Sequence, residues 1–170
     1  MDSSFGFRPG RSAHQAIEKI WESLSQMGGG WAIDLDIQGF FDALDHRHLR
    51  SFLDQTICDG VIRRTIGKWL NAGVIEDGQL RRTKLGTPQG GVISPFLANI
   101  YLHHVLDVWF EREVKPCLHG QSFIVRYADD VVIMCEFESD EKRVMEVLPK
   151  RLARFELTMH PDKTRLVFRA

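Results

Sequence analysis

The stretch "FIVRYADDVVIMCE", residues 123–136, contains the pattern that decides the fold. Two adjacent carboxylates, Asp129 and Asp130, lie between two apolar runs of the kind found in buried strands. A short polar break between two such runs predicts an antiparallel hairpin. Taken alone, the two acidic residues need no function, because Asp is common in turns.

Composition limits the class of protein. The chain has 170 residues, the usual size of one domain, and is 44% hydrophobic, which is ordinary for a protein with a core. No apolar run approaches the ~20 residues that a membrane-spanning helix requires, and the N-terminus lacks the apolar segment of a signal peptide. The three cysteines are odd in number and lack CxxC spacing, which predicts reduced thiols and a cytoplasmic location.

The charge is balanced overall but uneven along the chain. A net charge of −1 gives no general positive field for nucleic acid. Residues 150–170 nevertheless hold six basic side chains against two acidic ones, and smaller basic clusters lie at Arg8 and Arg11 and within residues 81–84. Taken singly, each cluster is more simply a solvated face.

Hydrophobic periodicity predicts the elements around the hairpin. Residues 11–24 have helical spacing with Ser12 as N-cap, and the glycines at 28–30 end that helix. "WAIDLDI", residues 31–37, alternates with period two and predicts a strand that carries Asp34 and Asp36 on one face.

Further helices and turns complete the expected architecture. Helices are expected at 60–71 and 139–156, the second kinked or split by Pro149. Asp77-Gly78 predicts a hairpin turn, and residues 157–168 read as a strand, a turn and another strand. Helices that alternate with hairpins predict an α+β fold, an antiparallel sheet with helices on one face.

The position of Asp36 indicates a function for the acidic hairpin. If its strand lies beside the hairpin, Asp36, Asp129 and Asp130 converge at one edge of the sheet. Unpaired carboxylates in one place repel each other, and a divalent cation removes that cost. Carboxylates without His or Cys partners suit Mg²⁺, and two such ions can support an in-line phosphoryl transfer.

Five ordered motifs resemble those of group II intron-encoded reverse transcriptases. "RYADDVVI" (126–133) resembles the YxDD box, and "IDLDIQGFFDALDH" (33–46) resembles the first catalytic motif of the palm. "GTPQGGVISPFLANIYLHHVLD" (86–107) is similar to the next motif. "SFGFRPGRSAHQAI" (4–17) and "LTMHPDKTRLVF" (157–168) are similar to flanking motifs.

The resemblance implies a polymerase palm with a remnant of the fingers. Residues 1–30 would be the C-terminal part of the fingers, and residues 31–170 the palm with its catalytic motifs. The thumb, maturase and endonuclease regions of such proteins would be absent, so the chain is expected to be a fragment.

The resemblance also assigns the catalytic metal ligands. Asp36 and Asp129 would hold two Mg²⁺ ions, for which Mn²⁺ can substitute, and Asp130 would be the third acidic member. Phe41 would pack beneath the incoming sugar and exclude a 2′-hydroxyl. As a single residue, Phe41 is more simply a core side chain.

Further contacts with the nucleotide and the template follow from the same resemblance. Ile37, Gln89 and Lys163 would be nucleotide-binding, with Lys163 near the triphosphate. Arg8 and Arg11 would contact the template or the triphosphate. Without the motifs, Gln89 is an ordinary loop residue and Lys163 a solvated turn residue.

The expected function is RNA-directed DNA polymerase of the group II intron type, associated with intron mobility and splicing in a bacterial cytoplasm. The expected partners are an RNA template, a DNA primer, dNTPs and intron RNA, without a membrane. The alternatives are a retron-like or CRISPR-associated reverse transcriptase and a non-catalytic RNA-binding remnant. Little processive synthesis is expected from these 170 residues alone.

Overall fold

The structure is a computed structural model that describes residues 3–72, 74–76, 79–81 and 93–169. Its helices are α1 (Ala13–Met27), α2 (Phe40–Ala43), α3 (His46–Thr56), α4 (Gly60–Ala72), α5 (Ser94–Leu102) and α6 (Glu138–Ala153). Its strands are β1 (Gly30–Leu35), β2 (Val74–Glu76), β3 (Gln79–Arg81), β4 (Ser122–Tyr127), β5 (Asp130–Cys135) and β6 (Arg165–Arg169). Helix α5 continues through wide π-helical turns at His103–Asp107 and Phe110–Val114 and a 3₁₀ turn at Lys115–Cys117.

Four strands form one antiparallel sheet in the order β4-β5-β1-β6. The predicted hairpin of residues 123–136 is confirmed, because β4 and β5 pair up to Tyr127 opposite Asp130. Strand β1 lies between β5 and β6, with Ile33 opposite both Ile133 and Leu166. The order brings the end of β1 beside the tip of the hairpin.

Both faces of the sheet are covered by helices. On one face, Ile33 and Ile133 belong to the main core, which includes buried side chains of α3, α5 and α6. On the other face, Val125 and Met134 pack with Ala16 of α1. The α+β class and the antiparallel palm-type sheet are confirmed. The expectation of helices on one face is wrong. In β4 and β5, apolar side chains point to both faces of the sheet, and α1 covers the second face.

The helix boundaries follow the predicted caps. The Ser12 hydroxyl accepts from the Gln15 amide and the Gln15 side chain accepts from the Ser12 amide, which is a reciprocal capping box. Gly28 ends α1 with a φ of 72°, a left-handed conformation that glycine adopts at low cost. Asp45 caps α3 by accepting from the amides of Arg47 and His48.

Helix α6 runs through Pro149 as one element, so the expected split is wrong. Pro149 lies in the last two turns, where Leu148 and Leu152 are both buried in the core on either side of it. Their burial holds the helix together despite the hydrogen bond that proline cannot donate.

The two predicted minor hairpins differ in outcome. Strands β2 and β3 pair as expected, while Asp77 and Gly78 lie outside the described residues. In residues 157–168 the predicted turn and second strand (β6) are present, but the first strand is absent and the two segments do not pair. Met159 forms a single bridge with Ile37 instead, and β6 pairs with β1.

No helix in the described ranges is long and apolar enough to cross a membrane.

Candidate active site

The tip of the β4–β5 hairpin is a two-residue turn that carries the acidic pair. Tyr127 pairs with Asp130, which leaves Ala128 and Asp129 as the turn. Ala128 has a φ of 59°, and tight two-residue hairpins require a positive φ at this first position. Asp129 therefore projects from the turn itself, and Asp130 is the first residue of β5.

The register of β1 brings Asp36 to the same edge. Leu35, the last residue of β1, pairs with Val131, and Asp34 pairs with Val132, so Asp36 follows directly beside the start of β5. Its negative charge acts there on Asp130. The three carboxylates predicted to form a site thus lie at one edge of the sheet.

A fourth carboxylate, that of Asp34, contributes to the electrostatic field at this edge. The pKa of Asp130 is raised above its usual value by burial first, and then by the negative charges of Asp129, Asp34 and Asp36. Asp34 was predicted to share a face with Asp36 but was left outside the metal site. The structure places it within electrostatic reach of Asp130, so four carboxylates share one local negative field.

Lys163 stands on the opposite side of Asp36. Its Nζ lies 3.9 Å from Oδ2 of Asp36, and both side chains remain partly open to solvent. The turn that carries Lys163 is fixed by the Asp36 carbonyl, which accepts a 2.8 Å hydrogen bond from the His160 amide and one from the Thr164 hydroxyl. The turn thus holds a flexible cation beside the acidic cluster.

The aromatic residues after β1 have different environments. Phe40 is buried in the main core, whereas Phe41 is only partly buried and packs against that core. Their rings meet edge-on with centroids 5.3 Å apart. Ile37 is also a core side chain, which leaves its backbone for any contact with a nucleotide.

The remaining predicted contacts belong to the N-terminal segment or lie outside the described residues. Arg8 Nη1 donates to the Ser4 carbonyl, and the Arg11 guanidinium lies 5.0 Å from the centre of the Phe5 ring. Both arginines thus belong to the N-terminal segment that packs beside the hairpin. Gln89 lies outside the described residues.

The donor set fits a hard divalent cation, although its side chains do not form a closed ligand shell. Oxygen ligands from carboxylates, without His or Cys, are those that Mg²⁺ prefers. The pKa of Asp130 is raised by burial first and then by the negative charges of the neighbouring carboxylates, and a cation would relieve that repulsion. Within the described part of the chain, no three His, Cys, Asp or Glu side chains are arranged to hold an ion.

A buried polar network behind the hairpin was missed in the sequence. The Arg126 side chain is 1% exposed and its guanidinium pairs with both oxygens of Asp107, at 2.9 and 2.8 Å. Burial alone would raise the pKa of Asp107, but hydrogen bonds from Arg126 and His103 hold it below its usual value. An arginine within the apolar run of β4 was the available signal, because such a residue needs a buried partner.

A model of the family described as reverse transcriptase (RNA-dependent DNA polymerase) matches residues 1–169. The chain belongs to this family, whose members use RNA as the template for DNA synthesis.

The curated relatives include group II intron-encoded proteins, as the motifs indicated. The group II intron-encoded protein LtrA of Lactococcus lactis is 42% identical over 118 residues, which cover 66% of this chain and 19% of LtrA. An uncharacterized 91 kDa protein in the cob intron of Schizosaccharomyces pombe is 42% identical over 110 residues, 65% of this chain and 13% of that protein. The chain thus spans less than a fifth of the length of either relative.

Solved structures share the fold at low sequence identity. Apo telomerase from Candida tropicalis, truncated from the C-terminal domain, matches with a TM-score of 0.76 at 15% identity, over 98% of this chain and 36% of that one. The telomerase structure from Candida albicans matches with a TM-score of 0.73 at 16% identity, over 97% of this chain and 31% of that one. These matches confirm the polymerase-type fold.

Proposed function

We propose that this chain is the catalytic segment of an RNA-directed DNA polymerase of the group II intron type. The observation that carries the proposal is the convergence of Asp36, Asp129 and Asp130 at one edge of the sheet, within a chain of the reverse transcriptase family. The proposed domain division assigns residues 1–30 to the fingers and 31–170 to the palm. The proposed partners are an RNA template, a DNA primer and dNTPs, with intron RNA as a further partner.

The acidic edge supplies the ligands that the reaction requires. Asp36, Asp129 and Asp130 would hold two Mg²⁺ ions, which stabilise the attacking and leaving oxygens of an in-line phosphoryl transfer when bound. The primer 3′-hydroxyl gives its proton to water and its oxygen forms a bond to the α-phosphorus of the dNTP. The bond from that phosphorus to the bridging oxygen of the β-phosphate breaks, and pyrophosphate leaves. The local negative field of the four carboxylates disfavours a triphosphate until cations are present.

Lys163 and Phe41 would act on the incoming nucleotide. The ammonium of Lys163, loosely paired with Asp36 at 3.9 Å, can move to the triphosphate and donate a proton to the leaving oxygen. The partly buried ring of Phe41 would occupy the space that a 2′-hydroxyl needs. Deoxyribonucleotides would therefore be selected by shape.

Primer extension on an RNA template tests the proposal. Because the chain spans 19% of LtrA, the assay compares the chain itself with a chimera in which it replaces the aligned segment of LtrA. We expect the chimera to extend the primer with dNTPs and Mg²⁺, and Asp129→Ala to reduce the rate by about 10²-fold or more.

The matched control is Asp54→Ala, an exposed carboxylate of α3 that pairs with Arg63 away from the hairpin. We expect this variant to keep the rate of the unaltered chimera. If the chimera incorporates nothing, or if Asp129→Ala keeps full activity, the catalytic role is wrong and a non-catalytic RNA-binding role is favoured.

A further inference from the structure

The guanidinium of Arg126 holds the backbone of the acidic turn. Beyond its pair with Asp107, Nη1 donates to the carbonyl of Ala128 and to Oδ1 of Asn99, each at 2.8 Å. The Ala128 carbonyl belongs to the peptide that leads directly into Asp129. A buried cation is thus bonded to the turn residue that precedes the first acidic residue of the pair.

The same network fixes the N-terminal segment against the turn. The Arg126 amide donates to the Ser3 carbonyl at 2.7 Å, and its carbonyl accepts from the Phe5 amide at 2.8 Å. Asn99 Nδ2 donates to the Gly6 carbonyl at 2.7 Å. A Cβ at Gly6 would collide with the Ala128 amide. The backbone contacts behind the turn therefore leave the turn little room to move.

Stability alone does not account for this arrangement. Taking Arg126 and Asp107 out of water is costly, and replacing a buried ion pair with apolar residues of similar size is often neutral or stabilising. Ala128 also adopts a φ of 59°, which is unfavourable for a residue with a Cβ. The two-residue turn requires this conformation, and the guanidinium bond to the Ala128 carbonyl stabilises it.

We propose that Arg126, anchored by Asp107 and Asn99, is a positioning residue that fixes the Ala128–Asp129 peptide and so aims the Asp129 carboxylate at Asp36. The expected effect of this turn on metal binding at the acidic edge rests on the proposed function. The ordering of the turn by Arg126 can be measured without metal.

The decisive variant is the double substitution Arg126→Met with Asp107→Leu in the chain. It removes both buried charges together, so neither is left unpaired in the core, and His103, which loses its bond to Asp107, is partly exposed. Folding is therefore expected to persist. Backbone amide hydrogen exchange of Asp129 and Asp130 is measured in metal-free protein, with Ile133 in the middle of β5 as the internal reference. We expect exchange at the turn to accelerate about tenfold or more while exchange at Ile133 changes little.

The second measurement is Mn²⁺ affinity, followed by the electron paramagnetic resonance signal of free Mn²⁺. We expect the double variant to bind about ten- to a hundredfold more weakly, the range typical for loss of a group that orients a metal ligand. Arg126→Lys keeps the charge but lacks the planar guanidinium that reaches Asp107, Asn99 and Ala128 together. Its Mn²⁺ affinity is expected to lie between those of the unaltered chain and the double variant. This single variant also serves if the double variant does not fold.

The matched control is Asp140→Asn in α6, beside the open end of the same hairpin. Asp140 is fully buried and accepts from the amides of His119 and Gly120, so the substitution should lower stability without affecting Mn²⁺ affinity or exchange at Asp129. A folded double variant with unchanged turn exchange overturns the proposal. Absence of Mn²⁺ binding in the unaltered chain would instead contradict the proposed function, while the exchange result still decides the role of Arg126.

Discussion

At the scale of single residues, ionisation of Asp130 lowers the stability of the folded protein. Its pKa is raised by burial and by three neighbouring carboxylates. A raised pKa means that the contribution of Asp130 to stability is fully present below its ordinary pKa and is lost as the pH rises through the raised value. The metal-free protein therefore carries an unfavourable charge at neutral pH.

We expect Asp130→Asn to stabilise the metal-free protein at pH 7 by a few tenths of a kcal/mol, a small value because the side chain is only partly buried and water screens its interactions. The difference should shrink as the pH falls and the natural carboxylate becomes protonated. Urea unfolding at pH 7 and pH 4 measures it, and a variant that is less stable than the natural chain at pH 7 would contradict the expected repulsion.

Phe41 provides the test of sugar selection. In the active chimera, Phe41→Ala should raise the use of ribonucleotides relative to deoxyribonucleotides by about ten- to a hundredfold, because the removed ring leaves room for a hydroxyl. Competitive primer extension with the two nucleotide types gives the ratio. The control is Phe40→Leu, a core substitution expected to cost less than about 1.5 kcal/mol of stability and to leave the ratio unchanged.

The acidic residues could be located from the sequence because they interrupt or end regular strand patterns. Asp36 follows a run of period two, and Asp129 breaks a hairpin of apolar runs, so their positions depend on local signals. Arg126 could not be placed in the same way. Its partner Asp107 lies 19 residues earlier in a π-helical turn, and only tertiary packing shows that they meet.

At the scale of elements, the interior proline of α6 offers a clear measurement. Pro149 lies within a continuous helix and is exposed. Pro149→Ala should stabilise the protein by about 1–3 kcal/mol, since alanine restores the amide donor and removes the steric conflict with the preceding turn. Thermal or urea unfolding gives the value. The neighbouring exposed substitution Lys150→Ala should change stability little, and an unstable Pro149→Ala variant would mean that the helix depends on the proline.

The elements that the sequence predicted correctly have strong local signals. Helix α1 has its capping box at Ser12 and its terminal glycine at Gly28, and both determine its ends. The segment after Leu157 has the predicted turn and second strand but not the predicted first strand. In the folded chain, the Ile37–Met159 bridge and the pairing of β6 with β1 replace a local pairing. A short stretch of sequence does not show whether a strand will pair with a nearby segment or with a distant one.

At the scale of the whole molecule, the three free thiols report on folding. Cys58 and Cys117 are exposed, whereas Cys135 is buried, and burial first, then Asp140 and Glu141, raises the pKa of Cys135 to about 12. We expect a thiol reagent at pH 8 to modify two cysteines rapidly and the third only at the rate of global opening. Mass spectrometry of the labelled protein counts the modified sites, and rapid labelling of Cys135 would contradict the packing of β5.

The position of β1 has a consequence for how the chain folds during synthesis. This apolar strand is made before both of the strands that complete its pairing, and the Asp36–Thr164 contact joins residues 128 positions apart. Pairing at such distance is slow, with folding times of milliseconds to seconds for sheet-rich topologies. Strand β1 therefore stays unpaired in a partly folded state, in which an apolar strand is prone to aggregate. Nascent chains that end before residue 165 would lack β6, the partner of β1 from Gly30 to Asp34, and would leave that edge of β1 unpaired.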